Sequence, residues 1–334
     1  MNTAGQPVIE ARDLSVTFYG RGGAPARALD GVNVAIGRGE IVAVVGESGC
    51  GKTTLGRSIL GLQPPTSGAV RYMGEPLSYG TRALKAYRRE VQLVLQDPTG
   101  ALNPRQSVYE AVAEGPRVHG MDDEPGRVVR ALARTGLRPP DRFLQRYPHE
   151  LSGGQRQRVV IAGALALDPK VIVADEPVSS LDASVRGEVL ALLLGLRDEL
   201  QLSLLVITHD LGLAWNIADR IVVMYFGRVV EQGTTEEVLH QPKHPYTRAL
   251  LSVVPEIQRI EAIVLSGDIP DPTRIPGGCR FHPRCPALAD GSAEAAGVAH
   301  DCRTTPLAVL PASGPHAAAC HLVHAHTPAP APAP

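Results

Sequence analysis

The segment EIVAVVGESGCGKTTLGRSILGL, residues 40–62, constrains this chain more than any other. Ile41 to Val45 is an unbroken apolar run, mostly β-branched, which suits a strand buried on both faces. It enters Gly46-Glu47-Ser48-Gly49-Cys50-Gly51-Lys52-Thr53, which fits G-x-x-x-x-G-K-[ST]. Leu55, Ile59 and Leu62 then recur at helical spacing, so the motif joins a strand to a helix. The glycines let backbone N–H groups turn inward around phosphate oxygens, and the helix N-terminus adds partial positive charge. Residues Gly46 to Thr54 therefore read as a nucleotide phosphate cradle, with Lys52 reaching the β- and γ-phosphates and Thr53 holding Mg²⁺. Cys50 fills a variable position and reads as a small packed residue.

A second apolar run, Val171 to Ala174, closes on two acids, Asp175 and Glu176. Ligand sites in open α/β sheets lie at the carboxyl ends of the strands, so a parallel strand here would bring both acids to the phosphate loop. Asp175 suits the Mg²⁺ shell. Glu176, one residue on, points the other way and suits a general base facing an attacking water.

Just upstream stands LSGGQRQRVVIAGAL. Ser152 is an N-cap candidate, and Gly153 and Gly154 leave backbone amides bare before Gln155 and a helix over Arg156–Leu167. A helix N-terminus with bare amides is an anion site. One chain then carries two phosphate-binding helix ends, and a compact explanation is that the second serves the nucleotide of another chain.

LSGGQ together with the phosphate loop and the Asp-Glu strand end resembles the nucleotide-binding subunit of an ABC transporter. The resemblance covers about residues 8–240. It implies roles for further residues. Gln96 in LVLQDP resembles the glutamine that senses Mg²⁺ and the attacking water. Asp182 in SSLD resembles the acid of a loop lying across the dimer seam. His209 in LLVITHD resembles the switch histidine at the γ-phosphate. Phe18 in LSVTFYG resembles the aromatic that stacks on adenine, with neighbouring Tyr19 as a substitute.

The wording QDPTGALNPRQSV, EPVSSLD and HQPKHPYTRALL narrows the resemblance to the oligopeptide/dipeptide importer branch, which nickel importers share. Asn103-Pro104-Arg105 and Pro177-Val178-Ser179 resemble the second of the two ATPases such importers often encode. The implied assembly is a heterodimer with a second ATPase subunit, two transmembrane permease subunits, and an extracytoplasmic substrate-binding protein acting through them. The implied place is the cytoplasmic face of the membrane.

The implied fold is an α/β P-loop NTPase core of ABC type with an antiparallel β portion, a helical subdomain and a small Cys-containing C-terminal extension. Residues 1–240 would form the ATP-binding domain, with the helical subdomain over about 97–168. The stretches QSVYEAVAEGPRVHG and GRVVRALARTGL show helical spacing within it. The helix at Ser184–Leu200 carries Val185, Val189, Leu192, Leu193, Leu196 and Leu200 on one stripe, which reads as packing on the sheet. Residues 241–326 would be the extension, and the Pro/Ala tail over 327–334 reads as disordered.

Composition excludes other classes. With 33 basic and 34 acidic residues, bulk charge offers nothing to a polyanion, and no nucleic-acid partner is expected. The opening MNTAGQPVIEARDLSV lacks a basic region followed by an apolar stretch, and no window of about 18 apolar residues exists, so membrane work would go through a partner. A soluble ABC ATPase of DNA repair or translation is the other class; its tandem domains, coiled-coil insertion or basic face are not visible here.

Of five cysteines, four fall late: Cys279, Cys285, Cys302 and Cys320. Their Pro/Gly-rich segment buries little apolar surface, so a cross-link or metal would help it fold. Four thiols suit a 4Fe–4S cluster or structural zinc, and free thiols stay open. His282, His316 and His321 are alternate ligands by nearness in sequence. GCRFHPRC with two later cysteines resembles an iron–sulfur-binding extension of the importer branch.

Overall fold

A computed structural model describes residues 6–20, 23–254, 262–267 and 271–325. The Pro/Ala tail lies outside them. In chain order the elements up to residue 252 are β1 (Ile9–Phe18), β2 (Ala26–Ile36), β3 (Ile41–Val45), α1 (Lys52–Ile59), β4 (Ser67–Tyr72), β5 (Glu75–Pro76), α2 (Thr81–Glu90) and β6 (Val91–Val94), then α3 (Pro98–Ala101), α4 (Val108–His119), α5 (Glu124–Arg134), α6 (Gly153–Leu165), β7 (Val171–Asp175) and α7 (Ala183–Leu200), and finally β8 (Ser203–Thr208), α8 (Leu211–Ile217), β9 (Arg220–Tyr225), β10 (Arg228–Thr234), α9 (Thr235–His240) and α10 (Pro245–Ser252). A last short strand, β11, is Ala317–Ala318.

Two sheets form, as the expected α/β core with an antiparallel portion requires. One runs β2-β1-β4-β5 and is antiparallel; the other runs β11-β10-β9-β3-β8-β7-β6. From β9 to β6 every pair of the larger sheet is parallel. All residues of β3 and β8 are buried, as strands covered on both faces must be. β7 is parallel to β3 but separated from it by β8. The carboxyl ends of β3, β8, β7 and β6 therefore share one edge, which places the site.

Between β6 and β7 the chain is helical. α4 starts at a capping box in which Ser107 and Glu110 satisfy each other's orphan N–H groups, and it stops at Gly120. Val112, Val128, Leu132, Val159 and Ile161 from α4, α5 and α6 belong to one apolar core with Ile172 and Val206 of the sheet. On α7, Val189, Leu193 and Leu196 are buried in that core, as its stripe anticipates, while Val185, Leu192 and Leu200 are partly covered.

Three local expectations shift. Leu62 lies past the end of α1 and is 51% exposed, because the chain turns at Gly61 after the last helical residue. α6 begins at Gly153 and not at Arg156: the Ser152–Gln155 capping box draws both glycines into its first turn. And the late segment does not stand apart from the core. β11 pairs antiparallel with β10, Asn33 of β2 donates to the Leu310 carbonyl, and Arg280 is ion-paired to Asp30. Phe281 and Leu310 fill core positions. The apolar cluster made by the late segment alone is small, formed around Ala287, Ala293 and Ala299. Among the described residues no helix is long and apolar enough to cross a membrane.

Candidate functional site

The loop after β3 wraps a cleft of about 640 Å³ lined by Ala28, Ser48, Gly49, Gly51, Lys52, Thr53, Thr54, Gln96, Glu176 and His209. Its curvature depends on glycine. Gly51 holds φ +108°, and a Cβ there would meet the Ala28 carbonyl at 2.6 Å; one on Gly46 would meet the Met224 carbonyl at 2.2 Å. Lys52 Nζ donates to the loop's own carbonyls, at 2.7 Å to Gly46 and 2.9 Å to Glu47. Cys50 is buried against this loop, and burial pushes its thiol pKa up, so it stays protonated.

Three strand ends converge over the cleft. β7 delivers Asp175 and Glu176; Glu176 turns out of the strand with φ +47°, its N–H held by the Ile207 carbonyl at 2.8 Å. Gln96, beyond β6, donates Nε2 to Glu176 Oε2 at 3.0 Å. His209, beyond β8, sets Nδ1 2.9 Å from Glu176 Oε1. Asp175 takes a hydrogen bond from Thr53; burial raises its pKa, and the Glu176 charge adds to that against the lowering by Thr53 and Lys52. This is a site for a polyanion and a hard cation, since a nearby positive charge would relieve the two crowded carboxylates.

Several sequence candidates sit elsewhere. Phe18, at the end of β1, is 44% exposed and Tyr19 75%, and neither lines the cleft; Ala28 of the paired β2 does. Ser152, Gly153, Gly154 and Gln155 do not line it either. Ser152 Oγ accepts from the Gln155 N–H at 3.3 Å, presenting the α6 N-terminus outward. Asp182 is exposed at the N-cap of α7.

Cys279, Cys285, Cys302 and Cys320 line one small cavity of about 10 Å³, together with His282 and His321. All four are free thiols, and burial followed by their mutual repulsion pushes Cys279 up to about 12. The histidines are otherwise engaged: His282 Nδ1 lies 2.9 Å from the Cys279 carbonyl, and His321 Nε2 2.8 Å from that of Thr305. His316 does not reach the cavity; its Nε2 pairs with buried Glu231 at 2.7 Å. Among the described residues no group of three or more His, Cys, Asp or Glu is arranged to hold a metal ion. The four thiols share the cavity without being drawn into a ligand arrangement.

Two site neighbours went unread in the sequence. Tyr246 of α10 accepts the Glu47 N–H, and Arg284 pairs with the Glu47 carboxylate. HPYT and HPRC mark the segments, but nothing in them points to a loop some 200 residues earlier.

A family model described as ABC transporter matches residues 29–179, and one described as oligopeptide/dipeptide transporter, C-terminal region, matches residues 230–291. The dipeptide transport ATP-binding protein DppF of Escherichia coli is 45% identical over 295 residues, covering 85% of this chain and 88% of that one. The oligopeptide transport ATP-binding protein AppF of Bacillus subtilis is 42% identical, covering 84% and 90%. Among solved structures, a Clostridium perfringens protein described as part of the ABC transporter complex cbiONQ aligns with TM-score 0.64 at 33% identity, over 71% of this chain and 92% of that one.

Proposed function

The chain belongs to the ABC transporter ATPase family, and we propose that it hydrolyses ATP to energise uptake of di- and oligopeptides through a membrane transporter. One observation carries the chemistry: Gln96, Glu176 and His209, from three separate strands, meet over the cleft floored by the phosphate loop. The loop amides and Lys52 hold the β- and γ-phosphates. Gln96 and His209 fix the two carboxylate oxygens of Glu176 before substrate arrives. Glu176 then takes a proton from the water whose oxygen bonds to the γ-phosphorus; the bridging P–O bond breaks and its electron pair leaves with ADP. Thr53, Asp175 and Gln96 are the hard oxygen donors that would hold Mg²⁺, which when bound would offset negative charge on the phosphates.

The exposed α6 N-terminus, Ser152 to Gln155, serves the nucleotide of a second ATP-binding subunit, and Asp182 lies at that seam. A solved cassette with 31% identity and TM-score 0.60, over 68% of this chain and 98% of that one, is described as a dimer in a post-hydrolysis state bound to ADP and phosphate, which supports such pairing. Residues 1–240 act as the ATP-binding unit, the helical part over about 97–168 grips two permease subunits, and 241–326 is the extension. The complex sits at the cytoplasmic face, with an extracytoplasmic binding protein supplying peptide. The peptide cargo is supported by the names of the relatives and by the C-terminal family match.

Cys279, Cys285, Cys302 and Cys320 hold an iron–sulfur cluster as a structural fastener. What supports this is the donor set: four soft thiols on one cavity, each pushed towards the protonated form by burial, a cost that metal binding would offset.

The test is reconstitution with the permease pair, the partner ATPase and the binding protein. ATP turnover stimulated by peptide-loaded binding protein is expected. Stimulation by nickel and not peptide would reassign the cargo, and turnover without any co-purifying membrane protein would place the chain among the soluble ABC ATPases.

A further inference from the structure

Glu47, the second residue of the phosphate loop, has every polar group engaged. Its carbonyl accepts from Lys52 Nζ at 2.9 Å and from the Cys50 N–H at 3.3 Å, both within the loop. Its other bonds come from far along the chain. Its N–H donates to Tyr246 Oη at 2.8 Å. Its carboxylate takes both ends of the Arg284 guanidinium, at 2.7 and 3.0 Å. Glu47 does not line the cleft, whereas Ser48, Gly49, Gly51 and Lys52 do.

The two clamps are themselves fixed. The Arg284 side chain is only 7% exposed. Tyr246 is fully buried, its ring 4.7 Å from Tyr225 and 5.3 Å from Phe281. Phe281 in turn packs 5.1 Å from Tyr225, which ends β9 beside the loop-bearing β3. A bidentate Arg–carboxylate pair is among the stronger and more directional polar contacts, more so where the guanidinium is shielded from water.

We propose that Tyr246 and Arg284 are positioning residues for the nucleotide site: the late segment grips Glu47 from behind and holds the phosphate loop in its phosphate-ready shape. The Glu47 amide and the loop's only carboxylate are turned away from the cleft, so the following amides face it and no negative charge from the loop does. Without the clamps ATP must order the loop itself, and affinity falls while chemistry at Glu176 does not. By reciprocity, ATP tightens the late segment. This role rests on the proposed nucleotide site and is independent of cargo.

The test uses the full chain carrying Glu176→Gln, so that ATP is not consumed during calorimetric titration. Arg284→Gln and Glu47→Gln are each expected to weaken ATP binding about tenfold, and the double variant by the same tenfold, because both remove one contact. Tyr246→Phe keeps the ring and loses only the hydroxyl, and is expected to cost about threefold. In the assembled transporter with Glu176 intact, KM for ATP should rise in step while kcat stays within about twofold; a merely destabilised chain would lose kcat through loss of active protein and keep KM. Affinities within about twofold of the parent for all three variants would overturn the clamp, as would a fully additive double variant. Should Arg284→Gln fail to fold, Glu47→Gln and Tyr246→Phe decide the matter as single variants: each must weaken ATP binding, and affinities within about twofold of the parent for both would overturn the clamp. A parent that binds no ATP at all would strike the nucleotide site itself and not the clamp.

Discussion

His209 Nδ1 lies 2.9 Å from Glu176 Oε1, so the residue after β8 and the residue after β7 meet at one carboxylate. Gln96 holds the other oxygen at 3.0 Å. A carboxylate fixed on both oxygens above a phosphate loop is aimed before substrate arrives, which is what a general base requires. Glu176→Gln keeps the size and removes the proton acceptor. ATP binding should persist while turnover in the assembled complex falls on the order of 10²–10⁴-fold. Nucleotide titration beside a phosphate-release assay checks both halves, and near-normal turnover would remove Glu176 from the base role.

Ser152 does two things that substitution can separate. It caps α6, and it presents that helix end to solvent. Asp is as good an N-cap as Ser, so Ser152→Asp should leave the fold within about 0.5 kcal/mol of the parent. Its charge would repel a phosphate brought by a second subunit. ATP-dependent pairing of Glu176→Gln chains with their partner ATPase, followed by light scattering, should therefore fail in Ser152→Asp with the melting temperature unchanged. Pairing as strong as the parent's would mean that this helix end does not meet the partner's nucleotide.

What could be read from the sequence had local causes. The phosphate loop announces itself because glycine is needed within a few residues of a strand end, and Ser152 because a capping box spans four positions. The sheet order and the clamp on Glu47 have no such local sign. Ala317–Ala318 is too short to show a strand period, yet its pairing with Glu231 and Gln232 builds the late segment into the main sheet. Tyr246 and Arg284 stand 199 and 237 residues from Glu47, and only the folded sheet brings them together.

Gly51→Ala tests the loop's backbone without touching a charge. The added methyl would sit 2.6 Å from the Ala28 carbonyl, at a φ of +108° that alanine rarely adopts. Strain and clash together should cost on the order of 2 kcal/mol or more and distort the amides that face the phosphates. A lowered denaturation midpoint and loss of ATP binding are the expected results, and ATP should no longer raise the melting temperature. Lys52→Ala, by contrast, should weaken binding with the midpoint of the free chain nearly unchanged.

His244 makes the grip of the late segment sensitive to acid. It is fully buried; its Nδ1 accepts from the Tyr246 N–H at 3.0 Å, and burial drops its pKa from 6.5 to about 4 against the pull of Glu231. Between those two values the unfolded segment holds a proton that the folded one refuses, so stability falls as pH falls from 6.5 towards 4, by on the order of 3 kcal/mol. Glu231 extends the loss below that window: burial would raise its pKa, but the bonds from His316, Lys243 and His244 outweigh burial and hold it low, so its contribution goes when acid protonates it. Proteolytic release of the segment after residue 241 should accelerate across pH 6.5 to 4. His244→Asn keeps a cap acceptor for α10 and removes the titration, and should flatten that window. An unchanged pH profile in His244→Asn would place the acid sensitivity elsewhere.

The four late cysteines offer the last test. They line one cavity, but their thiols are protonated by burial and lie short of a ligand arrangement. Around them the segment's own apolar cluster rests on three alanines, too little to hold it without help. Metal binding would deprotonate the thiols and fasten three stretches of chain at one point. Protein purified without oxygen should then be brown and contain iron and acid-labile sulfide. Cys302→Ser should lose both and expose the segment around residues 271–325 to protease. Its ATP affinity should fall as well, because Cys285 adjoins Arg284 and a loosened segment slackens the clamp on Glu47. Zinc without sulfide would select a structural zinc site. Neither metal, with Cys302→Ser as protease-resistant as the parent, would mean that packing on β10 and the Tyr225–Phe281 cluster suffices to hold the segment, leaving four free thiols on an apolar cavity.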